Sequence, residues 1–103
     1  MTVAEQIGLN IRKIRRRADM SQDDLAGTSG VHRTQISLLE RGERIPRLDT
    51  CIRILVSAEG DARCLVDGVG WQEPVRWGQD GWFTIVGLSG PVDLRPSRSE
   101  GDG

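Results

Sequence analysis

The chain has few of the side chains from which catalytic and metal centres are built. Its 103 residues include one histidine, two cysteines and no tyrosine. The histidine, His32, has no cysteine or carboxylate near it at metal-ligand spacing, and the segment GVGW lacks the helix and the lysine of a phosphate-binding loop. The sequence therefore predicts a protein that is not an enzyme and that binds no metal and no cofactor.

Long apolar runs are also missing. No segment approaches the roughly eighteen apolar residues of a membrane span, and the first residues lack the apolar core of a signal peptide. We therefore expect a cytoplasmic protein with no membrane partner. The cytoplasm keeps thiols reduced, so Cys51 and Cys64 are expected to be buried core thiols, with a redox switch as the alternative.

Charge is distributed unevenly along the chain, although the net charge is only -1. Residues 1–53 contain ten basic and seven acidic residues, whereas residues 54–103 contain four and eight. Thirteen of the fourteen basic residues are arginine, which suits bidentate contacts to phosphate and guanine, although a GC-rich genome would produce the same bias. The basic excess in the first half is compatible with a nucleic-acid partner.

Residues 21–41 carry the pattern of a helix-turn-helix motif. Two short amphipathic segments meet at Gly30, which can take the positive φ that a sharp turn requires. Their apolar positions have helical spacing and are expected to pack together: Leu25, Ala26, Val31, Ile36 and Leu39. The free face of the second segment then holds His32, Arg33, Thr34, Ser37, Leu38 and Arg41.

Apolar residues at intervals of three and four predict further helices over residues 3–18, 47–57 and 62–67. We expect their inner faces to be formed by Val3, Ile7, Ile11, Ile14 and Ala18 in the first, by Leu48, Cys51, Ile52 and Leu55 in the second, and by Leu65 in the third.

Capping signals mark where several of these helices begin and end. Thr2 and Ser21 are each followed three residues later by an acidic residue, which predicts a capping box at each. Gly42, with Pro46 beyond it, ends the second helix of the motif. Arg47 is a poor N-cap for the helix that follows, so its side chain could face DNA instead.

With NIRKIRRRADMSQDDLA before the turn and RLDTCIRIL after it, the chain resembles the helix-turn-helix family of the Cro and lambda-type phage repressors and their bacterial relatives, the xenobiotic-response-element-type regulators. The resemblance covers residues 7–68. It implies a mainly α fold, a five-helix repressor-type domain, here followed by a short β-hairpin or strand and a flexible tail. It also implies a regulator that binds double-stranded DNA as a homodimer in the bacterial nucleoid.

The resemblance assigns roles residue by residue. Base contacts fall on His32, Arg33, Thr34, Ser37 and Leu38, where His32 replaces the small N-cap residue that the family usually has. Leu38 suits a thymine methyl group. Contacts to the sugar-phosphate backbone fall on Gln22, Gln35, Arg41 and Arg44. A structural salt bridge is implied between Arg15 and Glu40. Beside Arg15, the charged face of Arg12, Lys13, Arg16 and Arg17 is either solvated or turned toward phosphate.

The last third of the sequence has a different character. Residues 69–86 contain every tryptophan, and PVRWGQDGWFTIV suggests two short strands around a turn at residues 78–81, with Trp77 facing Trp82. Residues 87–103 are expected to be a mobile tail. We predict that the hairpin makes the dimer through Trp71, Trp77, Trp82, Phe83 and Ile85; folding back onto helices 1 and 5 of the same chain is the alternative.

Three functions remain open at this point. The first is a sequence-specific transcriptional repressor or activator that reads the major groove of a two-fold operator with residues 32–41. The second is a DNA-binding antitoxin that holds its toxin, a protein partner, through the C-terminal third. The third is a module that uses this fold for protein contacts alone; the arginine-bearing face and Gln22 argue against it.

Overall fold

The computed structural model describes residues 1–96, and these form a mainly helical domain with one small sheet. The predicted fold class is confirmed. The elements in chain order are α1 Val3–Arg17, α2 Gln22–Ser29, α3 Arg33–Glu40, α4 Leu48–Ser57, α5 Ala62–Leu65, β1 Val69–Gln72 and β2 Trp82–Ile85. None of the helices in this part of the chain has the length and apolar composition needed to cross a membrane. The predicted tail residues 97–103 lie outside the described residues.

Both predicted capping boxes are present. Glu5 N donates to Thr2 Oγ1 at 3.2 Å, and Thr2 N donates back to Glu5 Oε1 at 2.9 Å. The same exchange at the start of α2 joins Ser21 and Asp24 at 3.0 and 2.9 Å. Hydrogen bonds from the Ser21 backbone and side chain hold the pKa of Asp24 below its usual value. The caps therefore fix the starts of the two helices that flank the first loop.

The core lies between α1 and the helix-turn-helix pair. Ile11, Leu25, Ile36, Leu39 and Ile54 are each at most 1% exposed. Between α2 and α3 the chain turns at Gly30, whose φ of 73° is the left-handed conformation that the sequence pattern requires. Most of the core residues of α1, α2 and α3 are those that the helical spacing predicted, but Ala18 is exposed at the end of α1, and Ala4, which was not predicted, is buried.

The inner face of α4 differs from the prediction at two of four positions. Leu48 is 77% exposed and Ile52 is 53% exposed, whereas Cys51 and Ile54 are buried. Apolar residues occur on most sides of α4, so their spacing does not show which face of the helix is buried. The packing against α2 determines the buried face. Leu48, Ile52 and Val56 instead form an exposed row at intervals of four residues, which we call the α4 stripe.

The predicted hairpin exists, but its first strand was placed wrongly. β1 and β2 are antiparallel, with Val69 opposite Ile85 and Gln72 opposite Trp82. Trp77 therefore does not face Trp82; it lies fully exposed in the connection between the strands. Pro74 has no N–H to give to a strand ladder, which disfavours the segment PVRW as a strand.

The hairpin packs against α1 of its own chain, which is the alternative that the sequence left open. Ile85 is 4% exposed, and the rings of Trp71 and Phe83 meet edge to face with their centroids 5.0 Å apart. Ile85 is thus buried within its own chain, and its role as a dimerisation anchor stays a prediction.

Part of the predicted tail is held to the domain by backbone hydrogen bonds. Val92 N donates to Phe83 O at 3.0 Å, and the carbonyls of Asp93 and Leu94 accept from Val3 N and Ala4 N, also at 3.0 Å. The first amides of a helix have no partner within the helix, so α1 offers donors to this segment. The low apolar content of residues 87–103 led to the prediction of a mobile tail, but it did not show that residues 92–94 form backbone hydrogen bonds with the domain.

Candidate nucleic-acid interface

Helix α3 has one buried and one exposed face. Ile36, Leu39 and Glu40 point into the domain, and each is at most 3% exposed. The side chains at the start of the helix, His32, Arg33 and Thr34, are exposed, and Gln35, Ser37 and Leu38 are half-buried. The five positions that the resemblance assigned to base contacts thus lie at the accessible start and side of α3.

His32 acts as the N-cap of α3. Its Nδ1 accepts a hydrogen bond from Thr34 N at 3.1 Å, which replaces the side-chain oxygen of a usual cap. An imidazole that accepts through Nδ1 carries a proton on Nε2. His32 can therefore cap the helix and still offer one N–H donor.

Three arginines of the predicted interface are exposed, and two of them contact carboxylates. Arg33 Nε lies 3.2 Å from Asp23 Oδ1, and Arg41 Nε lies 2.9 Å from Glu43 Oε2. Arg44 lies in the same turn after α3. The structure thus places one arginine at the start of α3 and two beyond its end.

Glu40 is the centre of a buried polar cluster behind this surface. Arg15 Nε donates to Glu40 Oε2 at 2.7 Å, and its Nη2 donates to Oε1 at 2.9 Å. Arg12 Nε and Gln22 Nε2 also donate to Oε1, each at 3.3 Å. One carboxylate therefore joins α1, the start of α2 and the end of α3.

Two opposing effects act on the ionisation of Glu40. Burial raises its pKa, but the hydrogen bonds from Arg15, Gln22 and Arg12 together with the charge of Arg15 outweigh it, so the pKa lies below its usual value. The hydrogen bond to Glu40 raises the pKa of Arg15. Glu40 is therefore ionised at neutral pH, although its side chain is fully buried.

Sequence reasoning missed Arg12 as a member of this cluster and gave it a solvated or phosphate-facing role. The resemblance gave Gln22 both a phosphate contact and a role in supporting the recognition helix. The signal for Arg12 is its spacing of three from Arg15, which puts both on one side of α1. Gln22 Nε2 carries two hydrogens, and one remains for a phosphate when the other is bound to Glu40.

Asn10 is a structural residue that the sequence reasoning also missed. It is 2% exposed, and its Nδ2 donates to the carbonyls of Leu65 and Asp67, each at 2.9 Å. Gln6 Nε2 donates to its Oδ1 at 3.1 Å. The last carbonyls of a helix have no partner within it, and Asn10 satisfies that of Leu65 at the end of α5 and that of Asp67 just beyond it. A lone polar residue beside an apolar stripe of α1 was the available signal.

The geometry suits insertion of α3 into a groove of duplex DNA. An α-helix fits the major groove, where donors and acceptors on the base edges differ for each base pair. The exposed start of α3 offers a guanidinium, a hydroxyl and an imidazole, while Gln22 and the arginines after the helix lie at its two ends. This arrangement separates side chains that could reach bases from side chains that could reach phosphates.

Comparison with known proteins gives related sequences over the same part of the chain. The family profile described as Helix-turn-helix matches residues 11–56. The control protein C.SmaI of Serratia marcescens is 42% identical over 52 residues, which are 50% of this chain and 62% of that protein. The chain therefore spans less than two-thirds of this curated relative.

Solved structures of restriction-modification controller proteins are similar in fold. C.AhdI from Aeromonas hydrophila has 27% identity and a TM-score of 0.57, and the match covers 60% of this chain and 94% of that one. A variant of C.Esp1396I has 30% identity and a TM-score of 0.57, with coverages of 63% and 85%. C.Esp1396I was also solved as a tetramer with its natural 35 base-pair operator; it has 29% identity, a TM-score of 0.57 and coverages of 63% and 86%.

Proposed function

This chain belongs to the helix-turn-helix family, and we propose on that premise that it is a sequence-specific transcriptional regulator that reads the major groove of a two-fold operator with α3. The observation that carries the proposal is the asymmetry of α3. Its start is exposed and rich in donors, and its end is fixed to α1 and α2 through Glu40. A recognition helix needs both a free edge and a fixed orientation.

The relatives suggest a more specific role. Three proteins similar to this chain are a control protein and two restriction-modification controller proteins, one of them solved with its own operator. We propose that this chain likewise controls the expression of a restriction-modification gene pair. Because the relatives named above are controllers, the antitoxin interpretation and a protein partner bound through the C-terminal third are not part of the proposal.

Selection from a random duplex library tests the DNA-binding proposal. The purified full-length protein should enrich one short motif, repeated with two-fold symmetry at a spacing of roughly one helical turn, about 34 Å. Arg33→Ala serves as the matched control, since it removes a predicted base contact and leaves the domain intact. A library that shows no enrichment after repeated rounds would contradict the proposal.

Arg33 and Arg41 are expected to contribute differently to binding. If Arg33 forms a bidentate pair with a guanine, Arg33→Ala should cost about 1 to 3 kcal/mol on the selected site and relax the choice at one position in each half-site. Arg41→Ala should weaken binding to selected and random duplexes alike, because a phosphate contact carries no sequence information. Titrations on both duplexes at one salt concentration measure this; an equal loss for Arg33→Ala on the two duplexes would exclude base reading.

Two exposed apolar surfaces could join the subunits of a dimer. We favour the α4 stripe, because its three side chains are 77%, 53% and 74% exposed and lie in one row. In the hairpin, Ile85 is buried in the monomer core and Trp71 packs against Phe83, so these side chains have less surface available for a second subunit. Large apolar side chains exposed together on a rigid helix are typical of an interaction surface.

Ile52→Glu is therefore expected to convert the dimer to a monomer, since it places a charge at the centre of the α4 stripe. Trp77→Ser is the matched control for the hairpin, because Trp77 is fully exposed and removing it leaves the core intact. Sedimentation velocity over a range of protein concentrations distinguishes the two. A monomer produced by Trp77→Ser and a dimer retained by Ile52→Glu would restore the hairpin as the dimerisation element.

A further inference from the structure

The arginine at the start of α3 lies beside a carboxylate of the neighbouring helix. Arg33 is the first residue of α3, and Asp23 is the second residue of α2. Their contact joins Arg33 Nε to Asp23 Oδ1 at 3.2 Å, with side chains that are 62% and 75% exposed. The pair therefore lies on the accessible surface, on the side of the motif where α3 offers its free residues.

The atom that Asp23 contacts determines which part of the guanidinium stays free. The group is planar and has five N–H donors, and the carboxylate lies beside the one on Nε. The two terminal nitrogens then present a pair of parallel donors, which is the arrangement that matches O6 and N7 of a guanine. A carboxylate that attracts the Nε side of the group also reduces the rotational freedom that the long side chain would otherwise lose on binding.

We propose that Asp23 is a positioning residue for sequence recognition: it holds Arg33 in the orientation for bidentate contact with guanine, and it opposes binding where no guanine is present. This inference rests on the proposed function. The second effect follows from charge, since a carboxylate brought close to phosphates is repelled by them. At the correct site the contact between Arg33 and guanine offsets that repulsion, and on other sequences it does not. Asp23 therefore raises the ratio of specific to non-specific binding.

The fold contains a matched pair for comparison. Arg41 and Glu43 form an exposed contact of the same kind, with Nε 2.9 Å from Oε2 and side chains that are 57% and 53% exposed. This pair follows α3 and involves an arginine that we assign to the DNA backbone. Removing Glu43 should thus change affinity for every sequence by the same factor, because it removes a negative charge without disturbing a base contact.

The folded state itself is expected to be insensitive to Asp23. An ion pair this exposed contributes little to stability, because water screens it and both side chains lose freedom when it forms. Variants at this position should therefore melt as the native protein does. That allows binding to be compared among proteins of equal stability.

The test compares the native full-length protein with Asp23→Ala, Asp23→Asn, Glu43→Ala, Arg33→Ala and the double variant Asp23→Ala with Arg33→Ala. Affinities are measured by titration on the selected operator and on a random duplex of the same length. We expect Asp23→Ala to weaken binding to the operator by about five- to tenfold and to strengthen binding to the random duplex by about two- to threefold. Each change is smaller than the full discrimination between bases that one bidentate contact provides. Asp23→Asn keeps an oxygen acceptor for Nε and should recover most of the operator affinity.

The double variant separates positioning from simple repulsion. If Asp23 acts through Arg33, its removal should not weaken operator binding further once Arg33 is alanine. If Asp23→Ala strengthens both duplexes by one factor, as Glu43→Ala is expected to do, the inference is wrong and Asp23 is a repulsive charge only. A native protein that prefers no duplex overturns the proposed function and the inference together, whereas a preference lost with Arg33→Ala and kept with Asp23→Ala overturns the inference alone.

Discussion

Replacing Glu40 by alanine is expected to lower the free energy of unfolding by about 3 to 5 kcal/mol, because removing one partner of a buried ion pair leaves an uncompensated charge. The Glu40 side chain has no exposed surface, and that of Arg15 is 11% exposed. The loss includes the hydrogen bonds from Arg12 and Gln22, which would have no acceptor in the variant. Chemical denaturation without DNA measures the change.

Two variants serve as controls for this prediction. Glu43→Ala removes an acidic residue from an exposed pair near the same end of α3, and its effect on stability should be at most about 1 kcal/mol. Glu40→Gln keeps the shape and one oxygen acceptor but not the charge, so it should fall between the native protein and Glu40→Ala. A Glu40→Ala protein that unfolds at the native denaturant concentration would show that the cluster contributes no net stability.

The same pair predicts how stability depends on pH. The pKa of Glu40 is lower in the folded protein than its unfolded value of about 4.3, so the unfolded state binds its proton first as the pH falls. The contribution of ionised Glu40 is therefore fully present above about pH 4.3 and is lost as the pH falls below that value through the folded pKa. The difference in unfolding free energy between the native protein and Glu40→Gln should shrink over that acidic range and stay constant above it.

The sequence predicted the parts of the fold whose signals are local. The caps at Thr2 and Ser21 and the turn at Gly30 each depend on residues within one turn of the chain. The apolar stripe of α1 could also be predicted, because the polar residues on the opposite side of the helix leave only one face that can be buried. The pairing of Arg15 with Glu40 came from the family resemblance, since nothing local connects residues 25 positions apart.

Where the sequence failed, the deciding contact was long-range. Six of the ten residues of α4 are apolar, so its period could not show that Ile54 lies inside and Ile52 outside. The first strand of the hairpin was misplaced because two segments, residues 69–72 and 74–77, were both short enough and apolar enough to pair with β2. Pro74 was a local signal against the second segment, and the contact of β1 with α1, which exists only after the helices have packed, favours the first.

The role of Asn10 shows the same limit at a single residue. Its two carbonyl acceptors belong to residues 55 and 57 positions later in the chain. The position of Asn10 beside the apolar stripe of α1 indicates burial but not which carbonyls it contacts, and on propensity alone asparagine is mildly unfavourable within a helix. The candidate interface was easier to predict than the core behind it, because the helical spacing alone identifies which residues share the exposed face of α3.

Gly8→Ala is expected to destabilise the protein, although helix propensity alone predicts the opposite. In the middle of a helix alanine is favoured over glycine by about 1 kcal/mol. Gly8 is buried where α1 crosses α3, and a Cβ added there would lie 2.8 Å from the carbonyl oxygen of Glu40 and still closer to that of Leu39. Both obstructing atoms belong to the backbone, so no side chain can move aside to make room. Overpacking of this kind costs about 1 to 3 kcal/mol, and we expect the upper part of that range.

Gly27→Ala is the matched control, since Gly27 lies in α2 and a Cβ there would meet no atom within 4 Å. It should raise the free energy of unfolding by up to about 1 kcal/mol, because alanine has the higher helix propensity and its Cβ meets no obstructing atom there. Denaturation of the two variants beside the native protein therefore isolates the contact between α1 and α3. Because α1 must move away from the carbonyl end of α3 to admit a methyl group, Gly8→Ala should also weaken operator binding, whereas Gly27→Ala should leave it unchanged. Equal stabilisation by both substitutions would mean that the two helices do not approach each other closely at Gly8.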